Sequence, residues 1–175
     1  MVQGVHLSVV LCIACVIVLC GASTSEAQSA SCLLLPLQSA YTGNFTLTMK
    51  GEVLTVEGTI SGLEPNTEHG LHIHEFGLVV PGSDGSALGG HYNPTGVDHG
   101  CPPKSHHAGD FGNIVANAAG AVSFKMSTKE VSLTGDHPVL GRSIVVHAGK
   151  DDCVTNPSGN SGARGAACSI VLSTV

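Results

Sequence analysis

Basic residues are scarce in this chain: seven lysines and arginines stand against thirteen aspartates and glutamates in 175 residues, a formal net charge of -6. Such a balance repels phosphate backbones and anionic headgroups, which excludes nucleic acid and stable membrane association as partners. Long apolar runs are scarce too. Val5 to Gly21 is one, interrupted mainly by His6 and Ser8, and no second segment approaches spanning length. No apolar helical stripe is sustained over three turns, which excludes a helix bundle. Cysteine is too thinly spread for a fold held mainly by disulfides, so the domain needs a core of its own.

The apolar run leads into Ala22-Ser23-Thr24-Ser25-Glu26-Ala27-Gln28-Ser29-Ala30, whose small residues read as a signal-peptidase site with cleavage after Ala27 or Ala30. Residues 1–27 are therefore expected to be a signal peptide, and residues 31–175 a single secreted, extracellular domain. Cleavage removes Cys12, Cys15 and Cys20 and leaves Cys32, Cys101, Cys153 and Cys168 in an oxidising compartment, where they can pair in three ways. It also removes one acidic residue, Glu26. Asn44-Phe45-Thr46 is a glycosylation sequon that marks Asn44 as an acceptor, whereas Asn93 and Asn156 are each followed by proline.

In place of helices the chain offers short β-rich runs. Thr46 to Lys50, Glu52 to Ile60 and Leu71 to Phe76 read as strands, as do the alternating Val122, Phe124 and Met126, the pair Val131 and Leu133, and the runs Ser143 to His147 and Ser169 to Leu172. Glycine and Asx turns between them predict an all-β, antiparallel sandwich or barrel. Two stretches refuse the pattern, Gly77 to Asn113 and Gly149 to Ala167. Long loops in a compact domain need something to hold them, and metal ligands or a disulfide would do so.

Histidine is plentiful where basic residues are not, with ten in the chain. In Gly70-Leu71-His72-Ile73-His74-Glu75-Phe76 the strand period of two puts both imidazoles on one face and Leu71 and Ile73 on the other. His91, His99, His107 and Asp110 follow at spacings of eight, eight and three, and His147 ends a β-rich run. These seven side chains suffice for two metals. Neutral imidazoles favour copper or zinc, and a set that ends in a carboxylate suits tetrahedral zinc. His106 reads as a solvated loop residue, His69 and His137 as turn-capping residues, and Phe124 and Met126 as core.

These segments resemble the copper/zinc superoxide dismutase family over essentially all of the chain after the leader. Gly70 to Gly77 is similar to the family's first copper signature, Gly90-His91-Tyr92-Asn93-Pro94 to the segment with its bridging histidine, and His99-Gly100 and His107-Ala108-Gly109-Asp110 to its zinc loop. Gly135-Asp136-His137 and Gly141 to His147 are similar to the run ending in the last copper ligand. The resemblance implies an eight-stranded Greek-key β-barrel with two long metal-associated loops, one copper and one zinc ion per chain, superoxide anion as substrate and a homodimer. It assigns copper to His72, His74, His91 and His147, and zinc to His91, His99, His107 and Asp110. His91 would bridge the ions and hold a catalytic proton. Asp151 would orient His72 and His99 from behind, and Arg164 would hold the anion beside copper. A copper-binding or copper-buffering module without turnover is the alternative reading.

Two departures from the family pattern carry expectations of their own. The family usually ties a cysteine near the last strand to one in the loop before the bridging histidine; Cys168 is present, but Gly77 to Gly90 holds no cysteine. The expected staple is instead Cys101 with Cys153, with Cys101 or Cys153 to Cys168 as competitors and Cys32 reduced or paired by default. Arg164 also lies four residues before Cys168, one more than usual, which could displace its guanidinium from the copper channel and leave Lys150 as the nearby cation.

Overall fold

The computed structural model describes residues 28–173; the signal-peptide expectation for 1–27 lies outside them. The strands are β1 (Gln28–Pro36), β2 (Thr42–Lys50), β3 (Val53–Ser61), β4 (Glu68–His74), β5 (Asp110–Val115), β6 (Ala121–Thr128), β7 (Ser143–His147), β8 (Arg164–Ser169) and β9 (Val171–Leu172). β9 prolongs the path of β8 past Ile170 and pairs with β1, so eight strands form one antiparallel path in the order β5-β4-β7-β8-β1-β2-β3-β6. The neighbours β4 and β7, β3 and β6, and β8 and β1 are not consecutive in sequence, and these long returns make the Greek key. Phe111 of β5 and Phe124 of β6 stack with centroids 6.5 Å apart, bringing the two ends of the path together as a closing barrel.

Strand alternation fills the interior. Phe45 and Leu47 of β2, Leu54, Val56 and Ile60 of β3, Leu71 and Ile73 of β4, and Ile144 and Val146 of β7 are buried in one aliphatic core, to which Phe124 and Met126 add partly buried side chains. Because Leu71, Ile73, Ile144 and Val146 point inward, the residues between and after them, His72, His74, Val145 and His147, point to the outer face of the sheet. The functional residues therefore sit outside the barrel, beneath the connection from Glu75 to Gly109 and the connection from Ala148 to Ala163.

Several elements differ from the sequence expectation. β1 begins at Gln28 and pairs Gln28, Ser29 and Ala30 with Met49, Thr48 and Leu47, so a domain counted from residue 31 omits three residues of the ladder. β5 begins inside the stretch read as loop to Asn113 and runs on to Val115, and β8 begins inside the stretch read as loop to Ala167 and runs on to Ser169. Residues of low β-propensity interrupt both, Asp110, Gly112 and Asn113 in β5 and Gly165, Ala166 and Ala167 in β8. Val131 and Leu133 are fully buried without forming a strand; Ser132 makes only an isolated bridge to Pro138, and their alternation reflects two plugs entering the core.

The four cysteines among the described residues are all paired, Cys101 with Cys153 and Cys32 with Cys168. Cys101–Cys153 is the staple expected from the sequence; neither competing link to Cys168 forms, and Cys32, expected to be reduced or paired by default, takes Cys168 as its partner. Cys32 on β1 and Cys168 on β8 both point into the core, where adjacent segments of the barrel bring them together across 136 residues of sequence. Nothing local in the sequence reports that proximity. Peptide mapping of the unreduced protein should recover both links, and Cys32→Ala with Cys168→Ala should destabilise the barrel by roughly 2–5 kcal/mol in denaturant titration. Alkylation of Cys32 without prior reduction would contradict the assignment.

Candidate metal centre

β4 supplies His72 and His74, β7 ends in His147, and β5 begins at Asp110, opposite His72 in the ladder. His91 reaches the same place through a bridge to His74. His72, His74, His91 and His147 form one buried group and His91, His99, His107 and Asp110 a second, with the donor atoms of each within 4.8 Å of one another. His91 belongs to both. The structure thus brings together all seven side chains selected from the sequence.

Hydrogen bonds decide which ring nitrogen each histidine has left. Asp151 accepts from His72 Nε2 at 2.7 Å and from His99 Nε2 at 2.9 Å, leaving the Nδ1 atoms of both rings as bare acceptors. His74 Nδ1 donates to the Gly89 carbonyl at 3.1 Å and His147 Nδ1 to the Gly162 carbonyl at 3.2 Å. Their Nε2 atoms then face each other at 3.3 Å with lone pairs on both. On the other side, the Nδ1 atoms of His91, His99 and His107 lie 2.8, 3.0 and 3.2 Å from the oxygens of Asp110. His72 Nδ1, His91 Nε2, His99 Nδ1 and His107 Nδ1 are buried without a hydrogen-bond partner. Lone pairs converging on lone pairs and on a carboxylate are repulsive unless a cation lies between them, so the donor set fits two metal ions.

Burial favours the neutral form of His72, His74, His107 and His147. It pushes His72 and His74 well below the ordinary histidine value, helped by the neighbouring His91 and His147, and lowers His107 as well. His147 is pushed down to about 4 by burial, against the opposing hydrogen bond to Gly162. For Asp110, burial acts upward, but the His91 hydrogen bond and the surrounding imidazoles outweigh it and the net direction is down. Neutral imidazole and ionised carboxylate are the states that bind metal.

Behind the ligands, Asp151 is fixed from several sides. Its backbone exchanges two hydrogen bonds with the Asn113 amide, at 2.8 and 2.9 Å, and Cys153 N donates to Oδ1 at 2.7 Å. The Cys101–Cys153 disulfide thus joins the segment after His99 to the segment after Asp151; with both sulfurs in that bond, the nearby Asp151 and two cysteines do not make a third metal site. Gly159, at φ 62°, lies flat on this network, and a Cβ there would come 1.9 Å from Asp151 Oδ1 and 2.6 Å from His99 Nε2. Sequence reasoning missed Asn113 and Gly159, which have no motif around them. It also misplaced His69, which is buried within β4 and bonds the His147 carbonyl at 2.9 Å and Thr67 Oγ1 at 2.8 Å.

A cleft of about 340 Å³ opens onto the first group and is lined by Gln38, His74, Asp84, His91, His147 and Arg164, among others. The additional residue before Cys168 does not push Arg164 away. The β7–β8 register shifts between Val146 and His147, so Gly165 is bulged out and Arg164 still pairs with His147. The Gly165 carbonyl then accepts from the amides of Leu37, Gln38 and Ser39, which fixes the bulge. Arg164 donates to the Gly85 and Gly89 carbonyls, both at 2.6 Å. Lys150 instead pairs with exposed Glu68 at 3.0 Å and is not among the cleft's lining residues. A larger groove of about 550 Å³, lined in part by His106, Glu130 and His137, contains none of the converging ligands. There His106 and His137 bond the carbonyls of His107 and Glu130.

The family model described as copper/zinc superoxide dismutase (SODC) matches residues 41–171. The chain belongs to the copper/zinc superoxide dismutase family. The two residue groups accordingly correspond to a copper site of imidazoles alone and a zinc site that includes a carboxylate, and the eight-stranded barrel is the fold implied by the sequence resemblance.

The depressed imidazoles give the metal-free protein a defined pH response. Between the ordinary value near 6.5 and the folded value of about 4 for His147, the unfolded chain binds more protons than the folded one. Stability therefore falls as pH drops through that window, with His72 and His74 acting in the same direction. The melting temperature of demetallated protein should be lower by roughly 5–10 °C at pH 4.5 than at pH 7. A flat profile by calorimetry would show that the imidazoles are not held neutral.

Proposed function

We propose that the chain is a secreted, homodimeric superoxide dismutase that converts two superoxide ions and two protons into dioxygen and hydrogen peroxide. The observation that carries the reading is His91: its Nδ1 faces the Asp110 carboxylate while its Nε2 is buried, unpartnered, on the side of His72, His74 and His147. Copper held by His72, His74, His91 and His147 would supply the one-electron oxidation of one superoxide and reduction of the next, and zinc held by His91, His99, His107 and Asp110 would stabilise negative charge on the His91 imidazole. Within the chain, His91 holds and releases a proton at Nε2. Asp151 keeps the free nitrogens of His72 and His99 aimed at their sites. Arg164 attracts and orients the anion at the cleft, its planar fork fixed by two carbonyls.

Secretion is supported by the apolar run ahead of a small-residue cleavage site and by the oxidised state of Cys32, Cys101, Cys153 and Cys168. Asn44 is exposed on β2 beside exposed Thr46, which suits glycosylation there. For the homodimer, support comes from exposed Leu33, Phe76, Leu78, Val171 and Leu172 on neighbouring segments. Ser31 pairs with Val171, and Ser169 Oγ donates to the Gly77 carbonyl between Phe76 and Leu78.

Pulse radiolysis of protein carrying both metals tests turnover directly. Arg164→Ala should keep both metals and lower the superoxide rate by about tenfold, since one charge-assisted contact to a small anion is worth on the order of 1–3 kcal/mol. Lys150→Ala should leave the rate unchanged. Asp84→Asn should raise it at low salt, because the exposed carboxylate at the cleft repels the substrate, and the gain should shrink as salt rises. Full metal occupancy without turnover in the unmodified protein would favour a copper-buffering module instead.

A further inference from the structure

The connection from β4 to His91 has no covalent tie, although the copper side depends on where it lies. Its backbone is held near its two ends, by Glu75 N to the Gly90 carbonyl at 3.0 Å, Phe76 N to the Leu88 carbonyl at 3.0 Å and Gly90 N to Glu75 Oε2 at 2.8 Å, and in its middle by Gly82 N to the Pro36 carbonyl at 3.1 Å. Between these ends, Leu78 and Val80 are exposed, and Val79 is only partly buried. One side chain of the segment is wholly buried: Leu88, at 0% exposure, seated with Leu37, Val145 and Ala167 in a small apolar cluster separate from the barrel core. Val145 pairs with Ala167 on β8 and with His72 on β4, and lies two residues before His147 on the same outer face. Leu88 therefore plugs the segment onto the face that presents the copper ligands.

The plug sits in a 3₁₀ turn, Ser86–Leu88, flanked by Gly85 and Gly89, both at φ 72°. That turn aims two carbonyls at one guanidinium, with Gly85 O and Gly89 O each accepting from Arg164. The Gly89 carbonyl also accepts from His74 Nδ1, which fixes the tautomer that leaves His74 Nε2 free. One carbonyl adjoining the plug thus sets both a copper ligand and the anion-binding arginine.

We propose that Leu88 is a positioning residue: by anchoring the Glu75–Gly90 connection on Val145 and Ala167, it holds the Gly89 carbonyl where it orients His74 and Arg164 together. This rests on the reading of His74 as a copper ligand and of Arg164 as the anion-binding residue. Leu88→Ala is compared with the conservative Leu88→Met in protein carrying copper and zinc. The alanine variant should retain both metals and change its copper(II) electron paramagnetic resonance spectrum. Its Phe76 and Gly90 amides should exchange at least about tenfold faster. Its superoxide rate should fall about tenfold, and the methionine variant should restore all three properties. Combined with Arg164→Ala, it should slow turnover little beyond Arg164→Ala alone, because both changes release the same guanidinium. If Leu88→Ala does not fold, Leu88→Val takes its place in each measurement. An unchanged copper spectrum and unchanged amide exchange would overturn the proposal, even if the melting temperature fell. Altered spectrum and exchange with turnover absent in the unmodified protein as well would uphold the positioning role and overturn the enzymatic reading.

Discussion

The two oxygens of Asp151 hold His72 Nε2 and His99 Nε2 at once, and the rest of the centre follows from that pair of bonds. Each bond takes up one ring nitrogen and turns the other, bare, toward a neighbouring lone pair or carboxylate. The arrangement is electrostatically unfavourable by itself and becomes favourable around cations, so a buried carboxylate between two histidines ties both metal sites to one fixed point. Asn113, Cys153 N and Gly159 all converge on Asp151, which fastens the Ala148–Ala163 connection over the metal-ligating side chains.

The connections are held to the barrel by dissimilar means. Cys101–Cys153 links the zinc-side connection to the Asp151 segment covalently. The copper-side connection is held by an aliphatic plug and a guanidinium bonded to two carbonyls. Cys168 is directed into the core to meet Cys32 and leaves that connection without a covalent tie. In this chain the cross-link at Cys168 lies within the barrel, and the copper-side connection is held by hydrophobic burial with charge-assisted hydrogen bonds.

Charge reaches the active cleft in an economical form. Arg164 is the one lysine or arginine among the described residues that line it, and Asp84 lies on the same wall. In the proposed enzyme, long-range attraction would therefore be weak, and capture of a small anion would depend on the final ångströms, where a planar fork held by two carbonyls has little orientational freedom left to lose. The bulge at Gly165 keeps that fork in place despite the additional residue before Cys168.

The seven ligands were legible in the sequence because their chemistry is local: a strand period of two places His72 beside His74, and imidazoles and a carboxylate at metal-ligand spacings need no tertiary information to be recognised. The barrel was legible through alternation in β2, β3, β6 and β7. β5 was hidden because Asp110, Gly112 and Asn113 carry little strand preference, β8 because Gly165, Ala166 and Ala167 carry little, and β1 because its first residues read as the tail of a leader. The pairing of Cys32 with Cys168, the anchoring by Leu88, the position of Arg164 and the contacts of Gly159 and Asn113 with Asp151 were decided only by the tertiary structure. Each depends on which distant segments become neighbours once the Greek key closes, and no pattern within one segment encodes that distance.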